Sequence, residues 1–188
     1  PVFTKDGNTV YFTRNNYNDG KKGKSNDKIN KLKIYKATLK DGKWVDVTEL
    51  PFNNDNYSVA HPALSADEKT LYFSSDMPGT MGQSDIYRVA INADGSYGTP
   101  ENLGPSINTP MRETFPFITE KNVLYFASDD HLGIGGLDIF ESKMNKDGSF
   151  TAIKNVGAPV NSAKDDFGYV VNPKTHIGYF TSNRDGGI

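Results

Sequence analysis

One period organises this sequence. Asp-Gly pairs end at Gly42, Gly95 and Gly148, 53 residues apart each time, and each is followed two residues later by an aromatic: Trp44, Tyr97 and Phe150. Tyr-Phe pairs close at Phe12, Phe73, Phe126 and Phe180, and Ile107-Asn108 returns as Val160-Asn161, again 53 residues on. The first interval between Tyr-Phe pairs is longer because residues 15–31 are inserted there. This many coincidences at one spacing mean a repeat architecture, in which copies bury their apolar faces on one another.

Each copy reads as short strands separated by turn chemistry. In the third copy these are Phe115–Thr119, Val123–Asp129, Leu137–Ser142 and Phe150–Ile153, joined by Glu120-Lys121-Asn122, a Gly-rich loop at 133–136 and Lys146-Asp147-Gly148-Ser149. Asp-Gly between apolar runs is a hairpin signal, since a type I′ turn needs positive φ at both central residues. Consecutive hairpins make a four-stranded antiparallel meander, and meanders stacked radially make a β-propeller. The spacing therefore predicts an all-β chain, a β-propeller fragment of about three and a half four-stranded antiparallel blades: 1–57, 61–108, 115–161 and a half blade at 167–188. In this alignment His61 stands where the later copies have Phe115 and Phe167, and Gly168 stands where copies two and three have Pro62 and Pro116.

Composition agrees with this reading and narrows the function. Aromatics are 12% of the chain and hydrophobic residues 36%, enough for a folded core. A net charge of -2 gives no footprint for nucleic acid. No apolar run approaches the roughly 20 residues of a membrane span, so no membrane insertion by this segment is expected. The absence of Cys excludes disulfides and thiolate metal sites. The chain starts and stops inside the repeat, so we read it as a piece of a longer protein. The remainder of its own propeller is then an expected partner.

The motifs Pro-x-aromatic/apolar-Ser/Thr-x-Asp-Gly, Leu/Val-Tyr-Phe-x-Ser-Asp and Asp-Ile-Tyr resemble the WD-like β-propeller repeat of TolB-type bacterial periplasmic proteins. The blade exits Leu103–Asn108 and Val156–Asn161 are most similar to propellers of OmpA-family outer-membrane-associated proteins of Bacteroidetes type. The resemblance implies a periplasmic, outer-membrane-associated location and other envelope proteins as partners. It also implies a non-catalytic interaction scaffold, linked to type IX secretion or peptidoglycan anchoring.

Site chemistry is sparse. There is no H-E-x-x-H and no G-x-S-x-G, and no catalytic residue, metal or cofactor is assigned. A calcium role for Asp129, Asp130 and Asp138 would need a ligand spacing that the segment does not complete. Asp85 and Asp138 precede third strands, where a carboxylate accepts backbone N–H groups of the loop before it. The loops after the second strands vary between copies and form the candidate interaction face. Its candidate binding residues are Arg14, Asp76, Asp129, Asp130, His131 and Arg184. The loop 129–136 reads as the part that the repeat does not dictate, with His131 solvated among acids. The rival reading is a glycan-binding or hydrolytic propeller, in which Arg14, Asp76, Asp129 and Arg184 would converge in a central funnel. The insertion carries Lys21, Lys22, Lys24, Lys28 and Lys31 against Asp19 and Asp27, a composition expected to be flexible and solvated or to meet an acidic partner.

Overall fold

The computed structural model describes residues 1–18, 21–23 and 25–186. Every regular element in it is a strand. Blade one starts with β1 (Val2–Phe3) and β2 (Thr9–Asn15), is interrupted by a short hairpin of β3 (Tyr17–Asn18) and β4 (Lys21–Lys22), and continues with β5 (Leu32–Lys40) and β6 (Lys43–Glu49). Blade two is β7 (Val59–Leu64), β8 (Thr70–Ser75), β9 (Asp85–Ala90) and β10 (Glu101–Asn102). Blade three is β11 (Glu113–Ile118), β12 (Val123–Ser128), β13 (Asp138–Lys143) and β14 (Lys154–Asn155). A two-stranded sheet of β15 (Asp166–Val171) and β16 (Gly178–Ser182) follows. Within each sheet, neighbouring strands pair antiparallel in chain order, apart from the β3–β4 hairpin. No helix among the described residues is long and apolar enough to cross a membrane.

Strand alternation builds the joints between blades. Successive side chains point to opposite faces, so Leu71 and Phe73 pack toward blade one with Tyr11, Ile34 and Leu50, while Tyr72 joins Leu124, Phe126 and Phe140 of blade three. The Tyr-Phe pairs thus divide between the two neighbouring joints. The first strands β7, β11 and β15 pack on one another in turn and line the inside of the arc.

Three local readings change. The Asp-Gly turns are not alike. Asp41 and Gly42 both have positive φ, as a type I′ turn requires, whereas at 92–95 and 145–148 only the Gly does. There the turn closes through Gly95 N to Asn92 O and Gly148 N to Asn145 O, and Asp94 and Asp147 hold the backbone N–H of Ser96 and Ser149. The fourth strands of blades two and three fall later than Tyr97–Thr99 and Phe150–Ile153. Tyr97 and Phe150 make only isolated bridges, with Ile91 and Met144, because their rings turn into the joints.

The third change is the alignment of the first strands. The ladders slip by a bulge at Ala60/Ala63, Thr114/Phe117 and Phe167/Val170. The bulged residues His61, Phe115 and Gly168 all have positive φ (57°, 50° and 65°). Gly168 is therefore the counterpart of His61 and Phe115, not of the prolines. It occupies the left-handed conformation that glycine adopts without steric cost.

Described residues of the insertion are held in place. Asn16 Nδ2 donates to Asp55 at 2.6 Å, Asn16 N to Lys31 O at 2.8 Å and Asn26 N to Asn56 Oδ1 at 3.1 Å. Lys31 is buried and pairs with Asp27 at 2.6 Å. Asp19 and Lys24 lie outside the described residues.

Candidate functional site

Two features face outward from this scaffold: a central cavity and a rim of loops. The cavity, of about 580 Å³, is walled by first-strand residues from every blade, including Val2, His61, Pro62, Phe115, Pro116, Tyr169 and Val170. The bulges re-aim a column of rings beside it. His61 stacks on Phe115 at 3.8 Å between centroids, and Phe115 meets Phe167 at 4.9 Å. Two polar atoms of His61 are engaged. Its backbone N–H donates to Thr13 Oγ1 at 2.9 Å, and Nδ1 lies 2.7 Å from Thr114 Oγ1. Burial pushes the imidazole down to about 4.

That shift has a measurable consequence. The unfolded chain protonates His61 near its ordinary value of about 6.5, while the folded chain resists until about 4. Its contribution is complete above pH 6.5 and is lost as pH falls toward 4, by about 3 kcal/mol at most. His61→Phe keeps a residue type that Phe115 shows to be compatible with the same backbone. Denaturation at pH 7.5 and 4.5 should show wild type losing more stability than the variant, and equal losses would refute the assignment.

The rim lies where second strands end and third strands begin. A repeated bond closes blades two and three and the β15–β16 sheet there. Asp76 accepts the N–H of Ser58, Asp129 that of Arg112 and Asn183 that of Asp165, each tying the end of strand two to the start of strand one. Asp129 also pairs with the Arg112 guanidinium at 2.7 Å. Arg184 reaches back to Asp166 and to the carbonyls of Pro159 and Val160. Burial opposes the ionisation of Asp166, but hydrogen bonds from Ser182, Arg184 and Ser162 outweigh it and hold the carboxyl below its usual value. Its counterpart Glu113, fully buried among Thr109 and Ser128, is pushed up by desolvation despite those donors.

The six candidate residues therefore do not converge on one another. Arg14 lies 4.0 Å over the Tyr35 ring, and Asp130 projects into solvent. His131 is not solvated. Nε2 lies 2.8 Å from Ile107 O, and the ring packs edge-on against Phe126 and Phe140, joining the exit of blade two to the core of blade three. None of the six lines the central cavity. Among the described residues, no group of three or more His, Asp or Glu side chains converges as a metal site would require.

The Gly-rich loop is also dictated by the repeat. Asp85 accepts the N–H of Met81 at 2.8 Å, and Asp138 accepts those of Ile134 and Gly135 at 2.7 and 2.9 Å. A Cβ on Gly82 would stand 2.4 Å from Met111 O, and one on Gly135 2.3 Å from Lys164 O. Each loop is thus pressed onto the backbone of the following blade. Sequence reasoning missed Met81, Met111, Leu132 and Ile134, which these loops leave exposed. The signal available was that apolar residues stand four positions before both Asp85 and Asp138.

Fold and site together define a partial β-propeller of antiparallel blades. No protein-family signature matches the chain, and comparison with curated proteins gives no match. Solved structures do match. TolB from Acinetobacter baumannii is 15% identical with a TM-score of 0.60, over 98% of this chain and 37% of that one. A TolB of Agrobacterium tumefaciens is 21% identical with a TM-score of 0.51, over 82% and 47%. A puromycin-hydrolyzing peptidase of Mycobacterium tuberculosis is 17% identical with a TM-score of 0.52, over 88% and 23%. The chain spans less than half the length of the TolB structures it matches, and what they share with it is the propeller fold.

Proposed function

We propose that this chain is a non-catalytic interaction scaffold in a bacterial envelope-associated assembly. One observation carries the reading. The charged residues that a hydrolytic or glycan-binding funnel would need are engaged at blade ends, while the cavity is walled by proline, aliphatic side chains and stacked rings. Rigid blades holding shaped loops suit contact with proteins. The TolB-type likeness and the OmpA-family resemblance of the blade exits support a periplasmic, outer-membrane-associated location. Type IX secretion or peptidoglycan anchoring is the assembly it would serve, with other envelope proteins and the remainder of its own propeller as partners. The docking rim is the one that carries Arg14, Asp76, Asp129, Asp130, His131 and Arg184, with Asp76, Asp129, His131 and Arg184 also holding its backbone in shape.

The reading is tested by placing a photo-crosslinking residue in the source bacterium's protein, at Asp130 on the rim or at Lys146 on an opposite turn. Discrete envelope proteins should crosslink from the rim position and not from the turn. Saturable binding or hydrolysis of a glycan, lost on altering Phe117 in the cavity wall, would transfer the assignment to the rival class.

A further inference from the structure

The rim carries exposed apolar side chains on an immobilised backbone. Met81 and Ile134 occupy the same repeat position, four residues before Asp85 and Asp138, and are 47% and 53% exposed. The buried carboxylate pins the N–H of each of these two residues. Leu132 is 94% and Met111 37% exposed, and the Met111 sulfur lies 3.5 Å from Gln83 Nε2 in the Met81 loop. Large apolar side chains held out by a fixed loop, twice at one repeat position, offer a partner apolar surface to bury.

The charge left beside them is negative. Arg112 is neutralised by Asp129 and Arg184 by Asp166. Asp76, Asp130, Asp165 and Asp185 take part in no ion pair among the described residues, and Lys164 is the rim cation at these joints left without one. The Lys-rich insertion follows β2 in blade one, and its described residues bond to the segment before β7, Asn26 N to Asn56 and, just after it, Leu32 N to Ser58.

We infer that the rim from Met81 to Ile134 docks a cationic amphipathic segment of a partner protein, with apolar side chains seated on Met81, Met111, Leu132 and Ile134 and Lys or Arg facing Asp76 and Asp130. The inference rests on the scaffold reading and specifies its partner. Electrostatic complementarity of this kind sets orientation and association rate, and the apolar contacts supply most of the affinity.

The test uses two fluorescent 18-residue helical peptides, one of Leu and Lys and one of Leu and Glu, titrated against the chain by anisotropy. The Lys peptide should bind at least about tenfold tighter than the Glu peptide. The double variant Leu132→Ser/Ile134→Ser should lose about tenfold, with its melting temperature unchanged because both sites are exposed. Asp76→Asn/Asp130→Asn should weaken binding and flatten its salt dependence. Asn183 shows that an amide can make the Asp76 backbone bond. Glu-peptide binding that is equally tight and lost in the Ser variant would overturn the charge inference while leaving a docking rim. Lys-peptide binding untouched by the Ser variant would mean surface charge alone and overturn the site. Self-association abolished by the Ser variant would reassign the patch to a second copy of the chain. Discrete rim crosslinks with no peptide preference would overturn this inference and spare the scaffold.

Discussion

Asn108→Ala is expected to cost about 2 kcal/mol of stability, more than its size suggests. The buried side chain acts as a fragment of strand. Oδ1 accepts the N–H of Ile86 at 2.8 Å, and Nδ2 donates to Ile86 O at 3.0 Å and to Asn102 Oδ1 at 2.7 Å. Truncation orphans the buried Ile86 N–H and removes one of the two donors to its carbonyl, Leu103 N remaining at 3.1 Å, and an orphaned group costs about 1–3 kcal/mol. Asn161 makes the same pair with Ile139, and Asn53 with Ile34. Asn108→Asp keeps the acceptor but sets a carboxylate against the Ile86 carbonyl, so it should not rescue. Urea denaturation of Asn108→Ala and Asn161→Ala gives the answer, and a loss under about 1 kcal/mol in either would show that the device is dispensable.

This device marks the boundary of what was legible in the sequence. Asn108 and Asn161 stood out through their 53-residue spacing, but Asn53 did not, because the exit of blade one is shorter and carries Phe52 in place of Ile or Val. The period and the alternation of strands sufficed for the all-β propeller, since joints between blades require little more than apolar residues on both faces. Turn type was less legible. Asp-Gly specifies that a turn occurs, while the partner ladder decides whether one or two residues take positive φ. The bulge at Gly168 needed the pairing itself, as no local feature separates it from a proline position. At the rim, charged residues drew attention because they are chemically conspicuous, yet backbone N–H groups and neighbouring blades claim most of them. His131 illustrates why. A histidine beside two aspartates reads as solvated, but Ile107 and the Phe126–Phe140 pair, distant in sequence or hidden in strands, give it a packed site.

The same repeat position should give very different penalties in different blades. Phe73, Phe126 and Phe180 end the three Tyr-Phe pairs of β8, β12 and β16. Phe73 is fully buried at the joint of blades one and two, and Phe126 at the joint of blades two and three, stacked 6.1 Å from Phe140. Phe180 is 39% exposed, in a sheet of two strands, with the Arg184 guanidinium 5.1 Å from its ring. Phe73→Ala and Phe126→Ala should each cost about 3–5 kcal/mol, the range for a buried Phe replaced by a cavity. Phe180→Ala should cost about 1 kcal/mol, since little apolar area leaves a packed environment. In an array of repeats, stability is the sum of unit and interface terms, so a weakened joint also lowers cooperativity. Trp44, the single tryptophan, reports on blade one from β6, whereas far-ultraviolet dichroism reports on all blades. In Phe126→Ala, the dichroism transition should begin at lower denaturant than the Trp44 transition, as blade three separates first. In Phe180→Ala the two should stay as close as in the parent chain. Equal costs at Phe126 and Phe180 would mean that burial at the joint does not set the stability of a blade, and the packing account of this propeller would fail.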